Sequence, residues 1–572
     1  MGPKTTANQQ PMSKRLIECV PNFSEGRRPE VIAEITAAIA AVEGVKLLNV
    51  DPGKATNRTV VTFVGEPEAV IEGAFQGIKR ASELIDMSKH KGEHPRMGAT
   101  DVCPLIPISG VSVEEAVAYS QKLGERVGQE LNIPVFLYEH SATQAKWKNL
   151  ANIRSGEYEA MADKLATPEF TPDYGPKALH KEAGVMAIGA RDFLIAYNIN
   201  LNTTSVRRAN SVAFDVREAG RVKREGNPIT GKKVLDENGQ PVRIAGACQG
   251  VKGIGWFIEE YGVAQVSMNI TNIEQSPLHI VFEESCKSAT KRGMRVTGSE
   301  LVGLLPLKVM LDAGRYFLRQ QQRSVGISEQ ELIKIAVKTM GLDELSPFDP
   351  NERIIEYQLK DASQQPLIQM SLSDFATETS SESPAPGGGS ISAYVGALGA
   401  ALGGMVANLS SHKRGWDDRW EYFSDWAERA QILERELVDL VDKDTDAFNG
   451  IMAAFRLPKG SETEKAARQE AIAEATRQAI LVPFQVMKAC MASLPLLEEM
   501  AKEGNPNSIS DVGVGMLCAR AALRGAYLNV KINSKGMEND SIVSDCLQEG
   551  AAMLDKIQAA ETAILAIVET KL

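Results

Sequence analysis

The sequence is poor in cysteine, and what it has is not arranged for bridging or metal binding. Seven cysteines are scattered at positions 19, 103, 248, 286, 490, 518 and 546 of 572 residues, with no CxxC pair. That excludes a disulfide framework and the usual zinc spacings. Unpaired thiols suit a reducing compartment, so a cytoplasmic protein is expected. An excess of basic charge is also missing. With 63 Lys+Arg against 74 Asp+Glu the formal net charge is −11, which argues against a nucleic-acid partner. The start, MGPKTTANQQPMSKR, lacks the apolar core of a signal peptide, and residues 1–13 read as a disordered tail.

Long apolar runs are scarce as well. The uncharged stretch 391–411 has the length of a membrane span but is dominated by Gly, Ala and Ser. Gly396, Ala400 and Gly404 recur every four residues, giving one smooth face for close helix contact. No membrane span is expected.

What is present is ordinary globular composition, 43% hydrophobic, in a chain long enough for three or four domains. Residues 14–193 alternate strands (LIECVPNF, VKLLNVDPG, NRTVVTFVGEP, DVCPLIPI, PVFLYE) with amphipathic helices, the pattern of an α/β sheet layered with helices. Residues 194–358 repeat that style, interrupted by a polar Gly/Pro-rich insertion at 223–246. Within it VLDENGQPVRI has an Asn-Gly between β-formers, a hairpin signal. A Ser/Pro/Gln-rich linker follows, placed at 359–370. Residues 371–572 carry long helical periodicity and few β-runs, an all-α bundle. The fold class is two α/β (α+β sandwich) subdomains followed by a helical-bundle domain.

The densest chemistry lies in KHKGEHPRMGATD (89–101), a Gly/Pro loop between a helix and a buried strand. His90 and His94 are four apart, but the order H-K-G-E-H with Gly92 and Pro95 does not put both on one helical face. An acid/base histidine fits better than a metal ligand, and no metal is expected. GNPITGKK (226–233) imitates a phosphate loop, but Lys233 stands where Ser or Thr is needed, and no apolar strand precedes it. PGGGS (386–390) opens a helix with glycines that let backbone N–H groups approach an anion. Asp442, Asp444 and Asp446 alternate along a helix; spacing alone puts Asp442 and Asp446 on one face and favours a solvated surface.

Two sets of motifs carry a resemblance. The front half resembles glutamate formiminotransferase through LIECVPNFSEGR (16–27), NRTVVTFVG (57–65), DMSKHKGEHPRMGATDVCPLIP (86–107), GWFIEEYGVAQVSMNI (255–270) and NERIIEY (351–357). The back half resembles the formiminotetrahydrofolate cyclodeaminase/cyclohydrolase family through APGGGS (385–390), VDKDTDAF (441–448), FRLPKG (455–460) and GAYLNVKIN (525–533). The order is that of the bifunctional enzymes of histidine degradation.

The resemblance implies that a formimino group passes from N-formimino-L-glutamate to tetrahydrofolate, and that the product closes to 5,10-methenyltetrahydrofolate with loss of ammonia. It places folate, in polyglutamylated form, in a groove between the two front subdomains. It implies a dimerising helical bundle and hence a homo-oligomer. The implied catalytic residues are His94 and Asp444. The implied folate loop is Gly175, Pro176, Lys177, Ala178, Leu179, His180, Lys181, Glu182, Ala183 and Gly184. Two alternatives stay open at this level: a formyl transferase joined to a methenyltetrahydrofolate cyclohydrolase, or one half serving only binding or assembly.

Overall fold

The computed structural model describes residues 15–54, 56–92, 95–226, 231–359, 366–537 and 539–572. The expected tail, His94, and parts of the 223–246 insertion and of the linker lie outside the described residues.

The front unit holds two sheets. The first contains β1 (Leu16–Cys19), β2 (Asn22–Phe23), β3 (Val45–Gly53), β4 (Arg58–Gly65), β5 (Thr100–Ser109), β6 (Val135–Leu137) and β7 (Met186–Ala190). The expected strand LIECVPNF is split at Val20-Pro21, where Pro21 has no N–H for the ladder. Both pieces still lie between β4 and β5. β5, β7 and β6 run parallel, and the remaining pairs are antiparallel. Helices α1 (Pro29–Ala40), α2 (Pro67–Leu84) and α3 (Val113–Glu130) pack on one face, against Ile17, Cys19, Phe63, Cys103 and Leu105. Period-2 alternation sends Glu18 and Asn22 to the other face. Pro29 at the first turn of α1 and the Ser112/Glu115 capping box of α3 fix where those helices begin. Two short helices, α4 (Leu150–Arg154) and α5 (Glu157–Ala166), precede β7.

The second sheet contains β8 (Ile195–Leu201), β11 (Val251–Ile258), β12 (Val263–Ile270) and β13 (Val296–Val302), antiparallel in the order β11-β12-β8-β13. α6 (Val206–Val216) and α7 (Leu278–Thr290) cover the face carrying Tyr197, Ile199 and Val266. The insertion forms the expected ribbon. β9 (Arg221–Val222) pairs with β10 (Arg243–Ile244), and the turn is closed by Asp236 N–H on Gln240 O at 2.8 Å with Gly239 at φ 75°.

Compact packing divides the chain at a different place from chain order. Residues 310–339 group with 360–572, and 340–359 group with the front unit. The first of these segments holds most of α8 (Leu307–Gln320) and α9 (Glu329–Met340); the second holds α10 (Pro350–Arg353) and α11 (Ile355–Leu359). Within the helical unit follow α12 (Leu372–Thr379), α13 (Gly388–Ser411), α14 (Trp420–Phe455), α15 (Glu462–Glu503), α16 (Ile509–Asn533) and α17 (Ser541–Lys571).

α13 is the hub of this unit. Its small residues allow close approach: a Cβ on Gly404 would stand 2.8 Å from Ala430 Cβ, and one on Gly399 2.9 Å from Gly515 O. α13 and α15 are long and apolar enough to cross a membrane. The smooth face of α13 is instead occupied by its neighbours, since Gly396 faces Cys490, Leu437 and Ala522.

Candidate active sites

In the front unit, the arms of the histidine loop are tied down on both sides of Glu93 and His94, which lie outside the described residues. Asn57, at φ 49°, is the central tether. Its Nδ2 donates to Lys91 O at 2.9 Å, and its Oδ1 accepts Gly26 N–H at 3.0 Å. His90 Nε2 donates to Asn57 O at 3.0 Å, while Nδ1 accepts Arg96 Nε at 3.4 Å. Both ring nitrogens are therefore engaged, and burial holds His90 below its ordinary pKa, neutral near pH 7. His90 is built into the loop as a brace. Gly92 passes so close to Thr56 that a side chain would collide with its carbonyl.

The second arm is anchored by Arg96, which is buried and donates to His90 O at 3.1 Å, Glu157 at 2.8 Å and Glu159 at 2.7 Å. Met97 N–H donates to Asp101, whose other oxygen takes Arg154 at 2.5 Å. Ser24 Oγ donates to Gly98 O at 2.7 Å.

This arm is stitched to the expected folate loop. Gly98 bridges Gly184, Ala99 N–H donates to Ala183 O at 2.8 Å, and Met87 N–H donates to Glu182 O at 2.8 Å. At both glycines a Cβ would collide with the opposing backbone. Tyr158 Oη reaches Lys181 O at 2.6 Å, and His180 Nδ1 accepts Ala183 N–H at 3.1 Å. Gly175, Pro176, Lys177, Ala178, Lys181 and Glu182 are exposed, Leu179 and His180 half-buried, and Ala183 and Gly184 buried. No acidic side chain pairs with Lys177 or Lys181 among the described residues.

The sheet faces away from the helices are polar. On the first, Arg58 Nε donates to Asn22 Oδ1 at 2.8 Å, and burial lowers its guanidinium to about 10 despite Asp101. Glu18 is pushed up to about 7 by burial, opposed by Arg191 and reinforced by Glu356. On the second, Gln265 joins Trp256, Asn200 and Glu300 at 3.1, 2.8 and 3.1 Å, and Glu300 also accepts Asn198 at 3.0 Å and Tyr261 at 3.1 Å. Burial, then Glu300, raises the Tyr261 hydroxyl to about 12. Trp256, Tyr261 and Gln265 of this network come from the GWFIEEYGVAQVSMNI motif.

In the helical unit, two distant motifs meet at one carboxylate and a third lies beside the helix start. Asp444 on α14 lies against the first turn of α13, where Ser390 Oγ donates to its Oδ2 at 3.1 Å and contacts Thr445 Oγ1 at 3.3 Å. The Ser390 backbone N–H also favours the ionised form. A side chain at Gly389 would occupy the space of the Asp444 carboxylate. Asn529 of α16 lies beside the same helix start, its Nδ2 being 3.2 Å from where a Cβ on Gly388 would stand.

Burial raises the Asp444 carboxyl above its ordinary value, against the pull of Ser390. Its neighbours are occupied differently. Asp442 is buried and accepts the N–H groups of Leu367 and Ile368 at 2.9 and 3.2 Å, a structural tether. Asp446 is exposed. Spacing alone paired Asp442 with Asp446 and left Asp444 apart; the packing of α13 gives Asp444 its setting. No cluster of three or more metal-ligating side chains occurs among the described residues. Sequence reasoning left out Asn57, Ser390 and Asn529, although each sits inside a quoted motif.

Both units thus present a polar site, one on a braced loop beside a glycine-bounded loop, the other on a half-buried acid at a helix start. This is the layout of a two-site enzyme. Residues 16–191 match the formiminotransferase domain's N-terminal subdomain, 196–360 the formiminotransferase domain, and 371–552 the formiminotransferase-cyclodeaminase family. The mouse formimidoyltransferase-cyclodeaminase is 42% identical over 558 residues, covering 97% of this chain and 99% of that protein. The glutamate formimidoyltransferase of Streptococcus pyogenes is 41% identical over 305 residues, 53% of this chain and 94% of its own length. The methenyltetrahydrofolate cyclohydrolase of Methylorubrum extorquens is 37% identical over 197 residues, 34% of this chain and 95% of its own. The chain belongs to the formimidoyltransferase-cyclodeaminase family.

Proposed function

We propose that this chain is a bifunctional folate enzyme. Its front unit transfers the formimino group of N-formimino-L-glutamate to N5 of tetrahydrofolate. Its helical unit cyclises the product to 5,10-methenyltetrahydrofolate and releases ammonia. The observation that carries this reading is the end-to-end match to relatives whose name covers both reactions, with family models matched in each half.

In the transfer, N5 forms a bond to the formimino carbon and loses a proton; the bond from that carbon to the glutamate nitrogen breaks, and that nitrogen gains one. His94 serves both proton movements, since an imidazole titrates near pH 6.5 and His90 is already committed to the loop. The residues Gly175 to Gly184 form the wall for folate, and the exposed Lys177 and Lys181 suit the carboxylates of a polyglutamyl tail. In the cyclisation N10 attacks the same carbon, so orientation supplies much of the rate. Asp444 takes the N10 proton and delivers one to the departing ammonia, a role that a raised carboxyl pKa favours. No step needs a metal ion.

The enzyme works as a homo-oligomer in the cytoplasm. Leu398, Met405 and Leu409 of α13 lie exposed, as do Val514 and Leu517 of α16, the helix packed beside it. Apolar faces of this kind are typically covered by another subunit. The seven free thiols suit a reducing compartment.

A second reading is favoured by the cyclohydrolase name of one relative of the helical unit. The test is purified protein given N-formimino-L-glutamate and tetrahydrofolate, with methenyltetrahydrofolate followed by absorbance and ammonia by a coupled enzyme. Equal yields of both are expected. Glutamate release without ammonia would replace cyclodeamination by the second reading.

A further inference from the structure

One side of α14 carries a continuous apolar seam. Ala430, Leu437, Leu440 and Val441 on it are buried in the bundle. Asp444 continues the same side, followed at helical spacing by Phe448, Ile451, Met452 and Phe455. Yet Phe448, Met452 and Phe455 are 39%, 41% and 50% exposed.

The cause is where α13 stops. Gly404 packs on Ala430, Gly396 on Leu437 and Gly389 on Asp444, so α13 runs antiparallel along the seam and ends at the acid. Beyond Asp444 the seam continues bare. It ends in cations: Arg456 and Lys459 have no acidic partner among the described residues. Arg468 donates to Phe455 O at 3.3 and 3.1 Å with its guanidinium 5.6 Å from the Phe455 ring centre. The nearby acids are engaged, Glu462 with Lys465 at 2.7 Å and Glu464 with the Gly460 and Ser461 N–H groups.

We propose that this bare stretch of α14 seats the folate during cyclisation. N5, N10 and the one-carbon unit lie at Asp444, the p-aminobenzoyl ring lies on Phe448 and Met452, and the glutamyl carboxylates reach Arg456, Lys459 and Arg468. The inference rests on the cyclisation reading above. The order of chemistry along the helix (acid, apolar wall, cations) matches the order along the ligand. At 1.5 Å rise per residue, Asp444 to Phe455 spans roughly 16 Å, enough for an extended p-aminobenzoylglutamate. The apolar wall contributes by ring contact and the cations by charge pairing.

The experiment uses the full chain carrying Phe448→Ser with Met452→Ser, and separately Arg456→Glu, all at exposed positions. The double variant should raise KM for 5-formiminotetrahydrofolate about five- to tenfold, the loss expected for one aromatic contact. Transfer rate and elution volume should stay unchanged. Arg456→Glu should raise KM more for a polyglutamylated than for a monoglutamylated substrate. Unchanged KM overturns the proposal, and so does a fall in oligomer size that accompanies any loss, since the face would then be covered by a second copy. If wild-type protein released no ammonia, the cyclisation reading would fail by itself. Equilibrium binding of 5,10-methenyltetrahydrofolate would then decide the seat: weaker in the double variant supports it, equal overturns it.

Discussion

The two candidate sites are built by opposite means. In the front unit the proposed reactive histidine, His94, falls in the sequence between two loop arms that are held by many separate bonds. Asn57, His90, Arg96 and the Gly98–Gly184 bridge each contribute one, within the loop itself and from the distant segments around Asn57 and Gly184. In the helical unit the acid sits on a helix thirty-six residues long, and its surroundings are set by how closely another helix approaches. There the missing side chain of Gly389 does the positioning. A tethered loop therefore fails by degrees as its bonds are removed, whereas a close-packed helix start fails at a single added methyl group.

The largest expected effect breaks the front site alone. His94→Ala should lower formimino transfer by about 10²- to 10⁴-fold, the usual contribution of a general acid–base group. Cyclisation of supplied 5-formiminotetrahydrofolate should be unaffected. Glutamate release and ammonia release, measured separately, check both halves of the statement.

Next comes the glycine contrast. Gly389→Ala puts a methyl group into the Asp444 carboxylate and should cut cyclisation by at least about tenfold through misplacement of the acid. Gly388→Ala meets only the Asn529 side-chain amide at 3.2 Å, which can shift, so its loss should be clearly smaller. Equal losses in the two variants would contradict the packing argument.

A third effect is on stability rather than rate. Asn57→Ala leaves the Gly26 N–H and the Lys91 carbonyl without their partner. It should destabilise the front unit by about 2–3 kcal/mol, read as a lower urea midpoint, given about 1–3 kcal/mol for each buried group left unpaired.

The smallest effect sharpens the role of Asp444. Ser390→Ala removes a hydroxyl that donates to the ionised carboxylate. Losing a donor to the charged form raises the pKa further in the direction burial already pushes it. The limb of the cyclisation pH profile belonging to Asp444 should move to higher pH, while Ser390→Thr should restore it. A uniform loss of rate with no movement of the limb would leave Ser390 a merely structural part.

Much of this was legible in the sequence because each element carries its own local signal. Period-2 alternation and apolar spacing located β3, β4, β5, α1, α2 and α3, and Asn-Gly located the hairpin in the insertion. β7 and β13 escaped: MAIGA is short, and VTGSELV breaks alternation with Gly298, which lies against Gly341 and Glu344. The smooth face of α13 was readable from Gly396, Ala400 and Gly404, but its depth of packing was not. Among Asp442, Asp444 and Asp446 the resemblance picks Asp444, but spacing alone does not show how the three differ in setting. Which acid is tethered to a backbone, which faces solvent and which meets a helix start depends on residues 54 to 75 positions away. Likewise the sequence offers two histidines in one loop; the resemblance picks His94, and the engagement of both His90 nitrogens, which makes His90 a brace, is visible only in the folded loop.

The measurement that tests the division of labour most directly is the product balance of an Asp444→Asn variant supplied with N-formimino-L-glutamate and tetrahydrofolate. The account predicts glutamate release at the wild-type rate, an equal amount of accumulating 5-formiminotetrahydrofolate, and no enzymatic ammonia. Ammonia released at the wild-type rate, or glutamate release lost together with ammonia in a folded variant, would contradict two separate sites in one chain.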